Sequence, residues 1–221
     1  QVDIQLFKYP KEFEEAVLRQ PPFIVAASNY IWTLDLSIKF VRAIKQRFPD
    51  TIAIFGGVNY PDEFDEQVAW LREYPEIDFY VYKDGEVPFT GLVDCLLRDP
   101  DIEKAKRQKL SSVHALVDDV PHFGETEPRL KDLTVIPSPY TMGLMDKFFD
   151  QRLIPTIQTN RGCPFTCTFC TEGGRYYNKV CKTSLERKIS EVDYIVRRIK
   201  HTKTLRITDS NFGMFQEDLD F

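Results

Sequence analysis

The chain lacks any run of apolar residues long enough to span a bilayer. It also lacks a basic excess: 29 Lys and Arg stand against 34 Asp and Glu, a formal net charge of −5. Nucleic-acid binding usually leaves a basic footprint, so neither nucleic acid nor a membrane is expected as a partner. Histidine is scarce. His114, His122 and His201 are scattered, and a lone histidine is usually a surface or satisfied residue. Cysteine is limited to five residues in 221, few for a secreted disulfide framework, and no stretch reads as a signal peptide. Free thiols point instead to a reducing, cytoplasmic setting. What is present is 43% apolar residues, enough for a core, in a length that allows one large domain or two small ones.

The first hundred residues alternate two kinds of pattern. Residues 2–9 alternate apolar and polar like a strand, and residues 23–28, 51–55 and 77–82 are apolar runs of buried-strand type. Between them lie amphipathic helical stretches: one opening at Pro10, one over 34–48 with Leu36, Phe40, Val41 and Ile44 on one face, and others over 63–73 and 88–98. Strand–helix alternation predicts a parallel sheet with helices on both faces. Ligands of such sheets bind at the carboxyl ends of the strands. There the sequence places Ser28 to Trp32, Gly56-Gly57 and Asp84-Gly85-Glu86. A tight strand-to-helix turn needs glycine in any case, so small residues at strand ends leave both readings open.

Residues 99–150 read as a boundary. Residues 113–117 suit a short strand, and prolines at 121, 128, 137 and 139 suit an extended connection. Met142, Leu144, Met145, Phe148 and Phe149 either line a site or pack as core. Cys95 sits in an apolar helical stretch as a small hydrophobe.

The stretch 159–174, TNRGCPFTCTFCTEGG, carries the chemistry. Cys163, Cys167 and Cys170 lie within eight residues, with gaps of three and two. Thiolates are soft ligands, whereas zinc sites and ordinary ferredoxin clusters take four protein ligands. Three thiolates on a 4Fe-4S cube leave one iron open. A zinc site recruiting Cys181 is the plainer alternative, but structural zinc usually pairs two Cys-x2-Cys-like knuckles and only one lies here. Residues 154–160 read as the strand delivering this loop. Ser184 reads as the N-cap of a helix to about Lys200, with Ile189, Val192, Val196 and Ile199 as its buried stripe. Residues 204–208 form the next strand, ending in Asp209-Ser210-Asn211.

Cys-x3-Cys-x-aromatic-Cys, with Phe169 as the aromatic residue, resembles the signature loop of the radical S-adenosylmethionine enzymes. Residues 1–100 resemble the cobalamin-binding domain that precedes the radical domain in one large group of them. The matches are Ser28, the pair Gly56-Gly57, and Asp84-Gly85-Glu86 in place of that group's Glu-Gly-Glu turn. The resemblance implies an α/β fold: a Rossmann-like doubly wound parallel sheet over residues 1–100, a connector over 101–150, and the start of a partial (β/α) barrel over 151–221. In it the first strand here corresponds to the group's second, and the loop carrying a cobalt-ligating histidine would precede residue 1. Only two barrel strands and one helix are counted. On this reading the sequence is cut at both ends, and the barrel remnant is poorly stable alone.

Carried over residue by residue, Cys163, Cys167 and Cys170 hold the 4Fe-4S cluster. Phe169, Asp209 and Asn211 contact S-adenosylmethionine, with a capped strand-to-loop turn as the alternative for the last two. Ser28, Gly56, Gly57, Asp84, Gly85 and Glu86 contact cobalamin. The glycine-rich pair typical of the wider family at the second strand is absent. The implied activity is reductive cleavage of S-adenosylmethionine to a 5′-deoxyadenosyl radical, used for methylation of an unactivated carbon of a small-molecule or biosynthetic-intermediate substrate. An electron donor such as flavodoxin or ferredoxin is implied. The competing readings are a cobalamin-binding or electron-carrier module without radical catalysis, and a zinc-binding interaction protein.

Overall fold

A computed structural model describes residues 2–150 and 152–221. The chain divides into two compact units, one of residues 9–128, the other of residues 2–8 with the described part of 129–221.

The first unit is built on a five-stranded sheet. Its strands are β1 (Ile24–Ser28), β2 (Ile52–Gly56), β3 (Phe79–Val81), β4 (Val113–Val117) and β5 (Val120–Phe123), and they lie in that order. β1, β2 and β3 are parallel, with Ser28 opposite Gly56 and Gly56 opposite Val81. The helices are α1 (Pro10–Arg19), α2 (Leu34–Arg47), α3 (Phe64–Glu73), α4 (Glu86–Arg98) and α5 (Ile102–Arg107). Alternate side chains of β2 leave on opposite faces. Ala53 and Phe55 join Val41, Ile44 and Leu71 in one apolar layer. Ile52 and Ile54 join Leu92, Leu96 and Cys95 in the other. The runs of β2 and β3 are buried because the sheet is covered on both sides there. The expected buried run over 23–28 is not: β1 is an edge strand in which only Val25 is buried, with Phe23 and Ala26 exposed.

Three expectations are corrected here. The sheet is mixed, not wholly parallel: β4 runs antiparallel to β3, and β5 to β4. The turn joining β4 and β5 is two residues, Asp118 and Asp119, both at positive φ (49° and 66°), and so short a link permits only antiparallel pairing. The sheet therefore takes in residues that the sequence assigned to a connector, and the boundary between the units falls at 128/129. Residues 2–9 form no strand. Val2 and Ile4 are exposed, and alternation alone supplies no partner for the backbone hydrogen bonds that a strand requires.

The second unit contains β6 (Thr156–Ile157), β7 (Asn160–Arg161), β8 (Cys181–Lys182), α6 (Leu185–Val196), β9 (Arg206–Ile207) and α7 (Gln216–Leu219). β6 and β9 pair in parallel, Thr156 opposite Arg206, with α6 in the crossover between them. The expected single strand over 154–160 is two short ones, because β7 turns away to pair antiparallel with β8. Tyr140, Ile157 and Ile195 form the core of this unit, with Met145 and Phe149 packed against it. Those two residues of the former connector are thus core, whereas Met142 and Leu144 are exposed.

The Ser184 cap is present, its hydroxyl accepting from Arg187 N at 3.2 Å. The helix stops at Val196, short of Lys200, and its inward face is rotated from the expected stripe. Ile189 and Val196 are exposed, while Lys188, Glu191 and Ile195 are buried. The polar two can face inward because each has a partner: Lys188 Nζ lies 3.6 Å from Asp218, and Glu191 accepts from Arg187 Nε at 2.8 Å.

Candidate functional site

Two constellations stand at strand carboxyl ends, one in each unit. In the first unit Ser28, Gly56-Gly57 and Asp84-Gly85-Glu86 follow β1, β2 and β3, so register brings all three segments to one edge. Gly57 has φ of +134°, and a Cβ there would sit 2.5 Å from Asn29 O. Gly56 is also close to its neighbour, with a Cβ position 3.3 Å from Val81 O. Gly85 precedes α4 as its N-cap, and Glu86 is the first residue of that helix.

Asn29, fully buried, organises this edge, and sequence reasoning gave it no role. Its backbone N–H donates to Gly56 O at 2.6 Å. Its Nδ2 donates to Asn59 O and, at 3.1 Å, to the Tyr80 hydroxyl, while its Oδ1 accepts from Asn59 Nδ2 at 3.1 Å. The Tyr80 hydroxyl donates in turn to Gly57 O at 2.8 Å. The loops after β1 and β2 are therefore tied together by side chains of Asn29, Asn59 and Tyr80. The only signal available in the sequence was an asparagine directly after a buried run. Beside this network the rim is apolar and open: Ile31 and Trp32 are 79% and 77% exposed, and Trp32 stacks on Tyr30 with ring centroids 5.1 Å apart.

In the second unit the cysteine loop leaves β7 through Gly162. That residue has φ of +104°, and a Cβ there would lie 2.7 Å from both Tyr177 O and Lys179 O. Arg129 closes the base of the loop, donating to Lys179 O at 2.6 Å and to Arg161 O at 3.1 Å. Cys163 N donates to Tyr177 O at 2.9 Å, and Cys170 N to Cys167 O at 3.2 Å. Gly173 lies against the loop, where a Cβ would meet Cys167 O at 2.3 Å.

Three consecutive residues after β9 grip this loop in three places. Asp209 accepts from Thr159 N at 2.7 Å, from the Thr159 hydroxyl, and from Asn160 Nδ2 at 2.9 Å. Ser210 donates its hydroxyl to Glu172. Asn211 Nδ2 donates to Cys163 Sγ at 2.9 Å. Sequence reading brought Asp209 and Asn211 to this rim, either as ligand contacts or as a capped strand-to-loop turn. Here the Asp209 carboxylate is turned to the strand that carries the loop, and the Asn211 amide to a cysteine. Asn160, 1% exposed, uses its Nδ2 on Asp209 and keeps Oδ1 buried with no hydrogen-bond partner among the described residues.

All five cysteines are free. Cys163 is half-buried, and Cys167 and Cys170 are exposed, with Phe169 between them 91% exposed. Among the described residues no three His, Cys, Asp or Glu side chains are gathered closely enough to hold a metal ion. The three thiols thus share one anchored loop and are not gathered around a single-ion site. Cys181 is buried in β8, its Sγ toward Lys179 O at 3.8 Å, and Cys95 is buried in the core of the other unit. Neither joins the three. Two shallow surface hollows, one around Leu71 and Ile77 and one around Phe23 and Arg47, contain none of the candidate residues.

The fold and the site define an α/β protein in which a sheet with small residues at its carboxyl edge is joined in one chain to a three-thiol loop. No family model matches the chain. It is 30% identical over 207 residues to the cobalamin-dependent radical SAM methyltransferase TokK of Streptomyces tokunonensis, a match covering 90% of this chain and 29% of TokK. Its fold is similar to that of the cobalamin-dependent S-adenosylmethionine radical enzyme OxsB with aqua-cobalamin and S-adenosylmethionine bound, with a TM-score of 0.68, 20% identity, and coverage of 91% of this chain and 27% of that one. It is also similar to the radical S-adenosylmethionine methyltransferase TsrM from Kitasatospora setae with cobalamin and a [4Fe-4S] cluster bound, with a TM-score of 0.66, 12% identity, and coverage of 94% and 41%. The chain is a homologue of the cobalamin-dependent radical S-adenosylmethionine methyltransferases over nine tenths of its length. It spans about three tenths of the length of those curated relatives.

Proposed function

We propose that the chain supplies the cobalamin-binding sheet edge and the cluster-binding loop of a radical S-adenosylmethionine methyltransferase. The observation that carries this reading is the three-point grip of Asp209, Ser210 and Asn211 on a Cys-x3-Cys-x2-Cys loop. The donor set fits a 4Fe-4S cluster: three free soft ligands, a fourth cysteine buried elsewhere, and exposure of two of the three. A cube of four irons takes thiolates spread more widely than a single ion does, so three cysteines on one loop that form no single-ion site suit it.

Cys163, Cys167 and Cys170 would hold the cluster, and Phe169 beside it would lie against the adenine of S-adenosylmethionine. When bound, the cluster supplies the electron that cleaves S-adenosylmethionine reductively, and cobalamin the methyl group delivered to an unactivated carbon of a small-molecule substrate. The chain's own work is to anchor and orient. Arg129 and Gly162 fix the entry of the loop, and Asp209 fixes the strand beneath it. At the sheet edge, Ser28, Gly56, Gly57 and Asp84-Gly85-Glu86 would contact cobalamin, the two glycines letting the loop after β2 close on Asn29 and Val81. Ile31 and Trp32, both exposed, would offer an apolar flank to cobalamin. A flavodoxin- or ferredoxin-type donor would reduce the cluster.

Anaerobic reconstitution tests the reading. Iron and sulfide should load to a brown 4Fe-4S protein whose spectrum changes on adding S-adenosylmethionine, and cobalamin should bind. Cys163→Ala, Cys167→Ala and Cys170→Ala should each lose most of the iron, whereas Cys95→Ala and Cys181→Ala should keep it. A colourless protein that holds zinc through Cys181 would refute the assignment.

A further inference from the structure

Cys163 differs from the other two cysteines of the loop. Cys167 and Cys170 are exposed, whereas Cys163 is half-buried and its sulfur takes the Asn211 amide at 2.9 Å. The neighbours of Asn211 hold that amide in place. Asp209 is fixed on Thr159 and Asn160, and Ser210 on Glu172, so the turn 209–211 is tied to the loop on the near side and the far side. The backbone of Cys163 is fixed independently through its own N–H to Tyr177 O. Donor and acceptor are thus each held by contacts other than the one they make together.

We infer that Asn211 is a positioning residue that holds the Cys163 sulfur by an N–H···S hydrogen bond and sets the reduction potential of the cluster, in place of the S-adenosylmethionine contact expected from its position in the sequence. This rests on the cluster assignment proposed above. An N–H aimed at a cluster thiolate withdraws electron density from sulfur and favours the more negative, reduced cluster, which raises the potential. Of the three cysteines of the loop, Cys163 is the one whose sulfur takes a side-chain amide among the described residues.

The test is a redox titration of the reconstituted protein followed by electron paramagnetic resonance, comparing wild type with Asn211→Ala and Asn211→Asp. At unchanged iron and sulfide content, both variants should move the midpoint to more negative potential, and the aspartate further, because it replaces a donor by a negative charge. Midpoints equal to that of the wild type would overturn the inference. Should a variant fail to fold or to load, the wild type decides alone. With asparagine labelled by 15N, pulsed resonance of the reduced cluster should show a nitrogen coupling, and its absence overturns the inference. A wild type that forms no 4Fe-4S cluster removes the assignment and this inference together. A loaded wild type with an unmoved midpoint in the variants removes the inference alone.

Discussion

At the scale of the residue, the strongest constraints come from contacts made by backbone and by buried polar groups. Gly57 cannot take a side chain without both a positive φ and a 2.5 Å approach to Asn29 O. Gly57→Ala should therefore cost about 1–3 kcal/mol in urea unfolding and loosen the loop after β2. His114 is buried against Phe123, with ring centroids 4.1 Å apart, and burial lowers its pKa from 6.5 to about 4. The folded state therefore keeps this ring neutral where the unfolded chain already binds a proton. Its contribution to stability is complete above pH 6.5 and is lost as pH falls from 6.5 to about 4, up to roughly 3 kcal/mol in all. Equilibrium unfolding as a function of pH should show that loss, and His114→Phe should flatten it. On the proposed reading, Asn29→Ala should weaken cobalamin binding, because its side chain ties the loops after β1 and β2 together. An equilibrium titration with cobalamin reads this directly.

At the scale of the element, α6 shows how tertiary contact decides which face is inside. Its apolar residues predict one stripe, yet the helix buries Lys188 at 3% side-chain exposure against Asp218 at 2%. Asp218 also accepts from Gly213 N at 3.1 Å and Phe215 N at 3.2 Å, so the same carboxylate holds the start of α7. Removing one member of such a pair leaves the other charge buried, which typically costs about 3–5 kcal/mol. Lys188→Ala should lose stability on that scale by urea unfolding, against about 1 kcal/mol for Ser184→Ala at the cap. The cysteine loop is the opposite case, a segment held at its base and by the turn after β9. Asp209→Asn keeps the shape but replaces one acceptor oxygen by a donor facing other donors. Hydrogen exchange over residues 159–174 should accelerate, and the reconstituted variant should lose iron to a chelator faster than wild type.

At the scale of the whole molecule, the two units have separate cores. That of the first lies on both faces of the five-stranded sheet, and that of the second around Tyr140, Ile157 and Ile195. Among the described residues no helix is long and apolar enough to cross a membrane. Much of this was written in the sequence, and for a local reason. Cysteine spacing, the apolar runs of β1 and β2, the glycines after them and the Ser184 cap each lie within a few residues of chain. Their chemistry depends on neighbours that the chain itself supplies. The direction of β4, the inward face of α6, the Asn29–Asn59–Tyr80 network and the Asn211–Cys163 contact join residues far apart in sequence, 48 positions in the last case. Composition and periodicity carry no record of which distant partner a side chain will meet. So the sequence determined that three thiols share one loop and that small residues sit at strand ends. Only the tertiary structure decided that Asp209 and Asn211 turn toward that loop, because hydrogen-bond partners are chosen by packing in space.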